Sequence, residues 1–230
     1  MTAGPPPEQP GRPLTEREVS PDPFAQFGAW FDAAARSVPS PEAVAVATAT
    51  AGGAPSVRMV LMKSWDERGF VFHTNYGSRK GLELAENPRA ALLFHWEPLG
   101  RQVRVEGEVE RLTPAESDAH FATRQRGARI GALASWQSRP IAGRDELERR
   151  VREVAERFAD QDVSRPSWWG GYRLRPRAFE FWQRRDDRLH DRLRYGRAGT
   201  AWRIERLQPW APGCPAAPRP LSLALARFEC

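Results

Sequence analysis

Apolar positions along the chain recur with two periods, and the switches between them divide it into elements. Phe24, Phe27, Trp30, Phe31 and Ala34 fall at helical spacing behind Asp22-Pro23, an N-cap followed by a first-turn proline. A helix of roughly four turns with an aromatic inner face is predicted there. From Ala43 the period drops to two. AVAVATAT, SVRMVLMK, GFVFHT, RAALLFHW and RQVRVEGEVERL are short alternating or β-branched runs, divided by the turn signals AGGAP, DERG and EPLG. Helical spacing returns in SRKGLELAEN and in TPAESDAHFATR, where Thr113 and Glu116 form a capping box. It returns again inside GRDELERRVREVAERFAD, with Leu147, Val151, Val154 and Phe158 on one face. AFEFWQ, RLHDRLRY and AWRIERL read as three more strands. Closely spaced antiparallel strands with few helices predict a mainly β fold with flanking helices, a barrel rather than a doubly wound sheet.

Composition sets the limits of that domain. Residues 1–21 are rich in Pro and Gly and read as a disordered or loosely packed N-terminal arm. The folded domain spans 22–209, and 210–230 read as a disordered, proline-rich C-terminal extension. The two cysteines, Cys214 and Cys230, lack metal-ligand spacing, so no metal site and no disulfide scaffold is expected. No apolar run approaches a membrane span, and MTAGPPPEQPGRP lacks the apolar stretch of a signal peptide. A cytoplasmic protein without a membrane partner is expected. The formal net charge of +6 raises nucleic acid as a partner. That reading ranks last, because the bases alternate with Asp and Glu and fit small phosphate sites.

Four clusters carry candidate chemistry. In FWQRRDDRLHDRLRY, a strand from Arg188 would send Arg188, His190, Arg192 and Arg194 to one face and Leu189, Asp191 and Leu193 to the other. Same-face neighbours would lie roughly 6.5–7 Å apart, a comb of donors for something anionic and flat. The plainer alternative is the solvated face of an edge strand. RMVLMK places Arg58 and Lys63 on opposite faces of an otherwise apolar strand, where long cations also commonly snorkel. HTNYGSRKG runs from a strand into a helix start, with Ser78 as cap and Arg79 and Lys80 beside free backbone N–H groups, which suits a phosphate. SWQSRP offers an amide and hydroxyls in a loop. Taken singly, His95 and His120 read as structural histidines.

In this order, RMVLMK, FHTNYGSRKG, RQVRVEG, SWQS, FWQ and RLHDR resemble the pyridoxamine 5′-phosphate oxidase family of flavoenzymes, from about Pro21 to Pro209. The resemblance implies an FMN-binding split β-barrel that works as a homodimer with FMN at the subunit interface. It implies an FMN site of Arg58, Met59, Val60, Leu61, Met62, Lys63, His73, Thr74, Arg79, Lys80, Gln102, Gln137, Ser138, Trp182 and Arg192, with Gln137 and Ser138 reaching the flavin of the other subunit. Substrate contacts would come from Lys63, His120, Arg124, Arg188, Leu189 and His190, of which Arg188 and His190 lie closest to the chemistry. The implied reaction oxidises pyridoxine or pyridoxamine 5′-phosphate to pyridoxal 5′-phosphate, with oxygen as acceptor and hydrogen peroxide as by-product.

The FMN positions match this family better than the substrate positions. A tyrosine expected beside Phe121 is His120, a serine expected before Arg129-Ile130 is Ala128, and a small residue expected after Trp182-Gln183 is Arg184. The arginine and tyrosine of the family's N-terminal arm have no counterpart in MTAGPPPEQPGRP. Two other readings therefore stay open: a relative of the phenazine-biosynthesis oxidases, which also lack the arm, and a non-catalytic flavin-binding module.

Overall fold

The computed structural model describes residues 13–209. Helix α1 (Pro23–Ala35) starts where the sequence predicts, the Asp22 carboxylate accepting the Phe24 N–H at 3.1 Å. Strands β1 (Ala43–Ala49), β2 (Pro55–Asp66), β3 (Gly69–Asn75), β4 (Arg89–Trp96) and β5 (Arg101–Arg111) follow, with α2 (Arg79–Glu86) between β3 and β4. Three helices come next: α3 (Pro114–Ala122), α4 (Arg126–Ala134) and α5 (Arg144–Arg157). Strands β6 (Trp169–Gln183), β7 (Asp191–Ala198) and β8 (Ala201–Arg206) complete the described chain.

All pairings are antiparallel, in the order β3-β2-β1-β4-β5-β6-β7-β8, and β6 also pairs with β3. That pairing closes β1–β6 into a barrel and leaves β7 and β8 as an extension of β6, in agreement with the expected barrel. Closure brings β6 backbone against two glycines. A Cβ on Gly69 (φ +135°) would lie 2.0 Å from the Leu174 carbonyl oxygen, and one on Gly107 2.0 Å from that of Arg175. Only glycine fits at such a seam.

Alternation sends Val44, Val46, Phe72, Leu92, Val103 and Val105 into the barrel. The ring of Phe27, fully buried, lies within 6.0 Å of those of Phe31, Trp65, Phe70, Phe94 and Trp96, so α1 seals the core with its aromatic face. A second cluster of Phe121, Ile130, Val163 and Trp169 sits under α3 and α4, with Val154 of α5 and Phe158 just beyond it against the cluster. No described helix is long and apolar enough to cross a membrane.

Four expectations need correction. Residues 14–20, assigned to a disordered or loosely packed arm, are tied down. Leu14 and Val19 are buried, the Leu14 N–H donates to Asp191, Arg206 pairs with Glu16, and the Tyr195 hydroxyl donates to the Ser20 carbonyl at 2.7 Å. Two apolar anchors suffice where average composition reads as disorder; residues 1–12 and the extension 210–230 lie outside the described residues. Helix α4 was not anticipated, because Gly127 and Gly131 weaken its pattern. On α5, Val151 of the predicted apolar face is exposed. Finally, β7 begins at Asp191 rather than Arg188. Arg188 has φ +62°, which no strand accommodates, and the Asp187 carboxylate accepts the Leu189 N–H at 2.9 Å, a local turn. Leu189 is therefore exposed rather than facing the core. From Asp191 on the expected alternation holds, with Leu193 and Tyr195 buried and Arg192 and Arg194 on the outer side.

Phe27→Ala should lower unfolding stability by about 3–5 kcal/mol, since a buried ring at the junction of helix and barrel leaves a cavity. Guanidinium unfolding checks this as a shift in midpoint at constant slope.

Candidate active site

Beside the closure of β3 on β6 lies a cavity of about 620 Å³. Met59, Val60, Leu61 and Lys63 of β2 form one wall, and His73 and Thr74 of β3 the floor. Lys80 enters from α2, His120 and Arg124 from the end of α3, Gln137 from the loop after α4, and Trp169 from the start of β6. Among the described lining residues there is no carboxylate. Cations and neutral donors converge on one space, as an anionic ligand requires.

Ser78 caps α2 by accepting the Gly81 N–H, which orients the buried Lys80. Its Nζ donates to Thr74 Oγ1 at 3.0 Å and to Gln137 Oε1 at 3.2 Å. Burial, then the neighbouring Arg58 cation, push this ammonium down to about 8, against the pull of Glu83. Arg58 itself turns behind the cavity, donating to Thr48 Oγ1 at 2.6 Å and pairing with Glu83 at 3.4 Å. Burial alone would raise the Glu83 carboxyl. Hydrogen bonds from Ser56, Thr48 and Arg79, together with the Arg58 charge, overcome that and hold it at about 2. Met62 packs into the barrel core, and Arg79 is exposed and paired with Glu83 at 2.9 Å.

His73 and His120 stack with centroids 3.8 Å apart, and the Trp169 ring lies 5.3 Å from His73, within 17° of parallel. Arg124 sets its guanidinium 4.6 Å from the centre of the Trp169 ring. Both His73 nitrogens and Arg124 Nη1 are buried with no hydrogen-bond partner among the described residues. Such orphaned groups are costly in an apolar setting and point to a polar ligand. Burial first, then His120, Arg124 and Lys63, push His73 down to about 3. Burial, Lys63 and Arg124 likewise hold His120 below the ordinary histidine value.

The remaining candidates gather elsewhere. Trp182, His190 and Arg192 line a separate cavity of about 290 Å³ with Glu180 and Pro209, and the two cavities share no residue. Gln102 pairs with Trp182 across β5 and β6. The His190 ring lies 4.6 Å from that of Trp182, and His190 Nδ1 accepts the Arg185 N–H at 3.0 Å. That bond leaves the proton on Nε2, so His190 offers a donor. Glu180, buried, takes Arg192 Nε at 2.8 Å and Arg104 Nη2 at 2.6 Å. Arg188 and Leu189 sit on the turn above, and Ser138, with φ +70°, faces a neighbouring hollow beside Trp136. Gln137 bonds to Thr74 and Lys80 of its own chain.

Sequence reasoning missed Trp169, Glu83 and Glu180. Trp169 did leave a signal: the two glycines after it, in WWGG, sit in a strand. A Cβ on Gly170 would lie 2.1 Å from Tyr76 Oη and one on Gly171 2.9 Å from His73 Nε2. Glu83 could have been found as the i+4 partner of Arg79.

Comparison with known proteins agrees with this architecture. The family model described as pyridoxamine 5′-phosphate oxidase matches residues 31–158. The pyridoxine 5′-phosphate oxidase C-terminal dimerisation region matches 169–209. The pyridoxine/pyridoxamine 5′-phosphate oxidase of Rubrobacter xylanophilus is 57% identical over 197 residues, covering 85% of this chain and 91% of that protein. The protein of the same name from Cupriavidus taiwanensis is 57% identical over 198 residues, covering 85% and 93%. Among solved structures, PhzG from Burkholderia lata 383, in complex with tetrahydrophenazine-1-carboxylic acid, superposes with a TM-score of 0.81 at 34% identity, covering 87% of this chain and 100% of that one. Shared closure of the barrel, matches along both of its halves and this level of identity lead to one conclusion: the chain belongs to the pyridoxamine 5′-phosphate oxidase family.

Proposed function

We propose that this protein binds FMN and oxidises pyridoxine 5′-phosphate or pyridoxamine 5′-phosphate to pyridoxal 5′-phosphate, with oxygen as acceptor. The observation that carries the reading is the carboxylate-free cavity, in which Lys63, Lys80, Arg124, Thr74 and Gln137 meet apolar Met59 and Leu61. Phosphate groups need charge-assisted donors, and a flavin ring needs apolar walls with a few placed hydrogen bonds. The orphaned nitrogens of His73 and Arg124 fit such a ligand. FMN, when bound, supplies the hydride acceptor and the route to oxygen.

The chain's own residues bind and orient. Thr74, Lys80 and Gln137 hold the cofactor phosphate, with Arg58 and Glu83 fixing the ground behind Lys80. Lys63 and Arg124 hold the substrate phosphate. Trp182, His190 and Arg192 lie in the other cavity, so a second copy of the chain brings them to the first. This homodimer rests on the dimerisation region of the family and on the exposed apolar row Val57, Met59 and Leu61, which runs into the cavity wall. The crossing residues are then Trp182, His190 and Arg192 rather than Gln137. Arg188, on its turn, lays a planar guanidinium along the substrate ring, and its contribution is positional. The likeness to PhzG supports oxidation of a phenazine precursor as a second reading, set behind the first by the higher identity of the phosphate oxidases.

An oxygen electrode, supplied with the two phosphorylated vitamers and with tetrahydrophenazine-1-carboxylic acid, decides between the readings. Oxygen uptake with pyridoxine 5′-phosphate by a yellow, dimeric protein is expected; a protein that binds no FMN ends the proposal. Arg188→Lys should slow turnover at least tenfold while leaving flavin content unchanged. Arg192→Ala should instead loosen the flavin. FMN affinity should also fall as pH rises above about 8, because Lys80 then loses the proton that holds the phosphate. Fluorescence titration between pH 6.5 and 10 checks this, and Lys80→Met should bind FMN weakly without that limb.

A further inference from the structure

The cavity contains one arrangement that binding by fixed cations does not require. Two imidazoles lie face to face in it, His73 from β3 and His120 from the last turn of α3, only 3.8 Å apart at the centroids. Every charged or titratable group facing them among the lining residues is basic: Lys63 from β2, Lys80 from α2, and Arg124 just beyond α3. The nearest acids of α3 are engaged elsewhere, Asp118 with Arg165 at 2.6 Å and Glu116 with Arg173 at 3.2 Å. With no anion present, a further positive charge in this space is disfavoured, and both rings rest neutral.

We propose that His120 is a proton-linked member of the substrate phosphate subsite: as a dianionic group settles between Lys63 and Arg124, His120 takes up one proton and joins them as a third cationic donor. The inference rests on the reading that this cavity takes a phosphorylated substrate. A dianion cancels the repulsion from Lys63 and Arg124 that keeps His120 neutral. The position favours the charge in two further ways. His120 lies in the last turn of α3, where backbone carbonyls stabilise a cation. His73 offers the face of a neutral ring beneath it, a cation–π contact. His73 is the worse proton acceptor of the two, being pushed down to about 3 chiefly by burial. Two imidazoliums stacked at this distance would repel strongly, so the uptake stops at one. The tyrosine that the family resemblance places at this position would donate the same hydrogen bond without titrating below about pH 10. Histidine thus makes phosphate recognition pH-dependent here.

The test uses FMN-loaded protein and sulfate, which stays dianionic across the range, so any proton taken up belongs to the protein. Calorimetric titration at pH 5.5–7.5, in buffers of differing ionisation enthalpy, should show uptake approaching one proton. The sulfate Kd should weaken by up to about tenfold per pH unit over the same window. In His120→Tyr and His120→Gln both effects should vanish, with flavin content confirming that the variants are folded. The Lys80 limb above pH 8 is common to all three proteins and cancels in the comparison. Pyridoxal 5′-phosphate serves as a second probe, its own ionisation cancelling between wild type and variants. Binding without proton uptake, or uptake that persists in both variants, overturns the inference and leaves the proposed function standing. If neither probe binds the FMN-loaded protein, the phosphate subsite falls, and the proposed function with it.

Discussion

The pairing of β6 with three strands is the constraint on which the rest of the structure depends. Its first residues, Trp169–Leu174, pair with β3 and close the barrel. From Tyr172 to Gln183 it pairs with β5, and its last six residues also pair with β7. Trp169 therefore lines the larger cavity and Trp182 the smaller, with thirteen residue steps of strand between them. At about 3.3 Å per residue, that is roughly 43 Å of strand contour. A strand that bends around a barrel spans somewhat less, but it cannot fold its own two ends together. Closure of the barrel is thus what separates the halves of the proposed site within one chain.

Electrostatics are arranged around the same seam. Arg58 and Glu83 lie behind β2 and α2, and Lys80 lies in front of them. The half-buried Arg58 guanidinium near Lys80 would, if uncompensated, drive the ammonium further towards its neutral form. Glu83, held ionised by three hydrogen-bond donors, supplies the compensation. The carboxylate thus acts on the cavity without lining it, and the space itself stays entirely basic. Glu180 plays a comparable part in the smaller cavity, where it holds Arg192 and Arg104 at hydrogen-bonding distance and fixes where the Arg192 guanidinium sits.

Much of this was legible in the sequence, for identifiable reasons. Where one face is buried and the other is not, as in β1, β4 and β5, alternation is clean and boundaries follow. The caps at Asp22, Ser78 and Thr113 behave as their side chains dictate. Arg188 to His190 misled because alternating charge mimics a strand, whereas Asp187 offers the backbone a competing hydrogen bond that ends it. Leu14 and Val19 were hidden among prolines; both are buried, and Leu14 bonds to Asp191 of β7 and Arg206 of β8 far along the chain. Which chain supplies which half of the site is the least legible feature. Residue identity carried the resemblance of Gln137 and Arg192 equally well, whereas the path of β6 keeps Trp182 and Arg192 away from the cavity that Gln137 lines.

The exposed apolar row on β2 links stability to chemistry. Val57, Met59 and Leu61 face outward, and Leu93 stands on the same side two strands away, through Ala45. Full burial of such side chains contributes about 1.5–3 kcal/mol each, so covering this row favours association. Met59 and Leu61 also wall the cavity. In the proposed homodimer, the burial that holds the subunits together therefore shapes the pocket and delivers Trp182, His190 and Arg192 to it. Anything that binds only the assembled site stabilises the dimer by mass action. FMN, on this arrangement, acts as a subunit adhesive as well as a cofactor, and loss of either the apolar row or the flavin weakens the other.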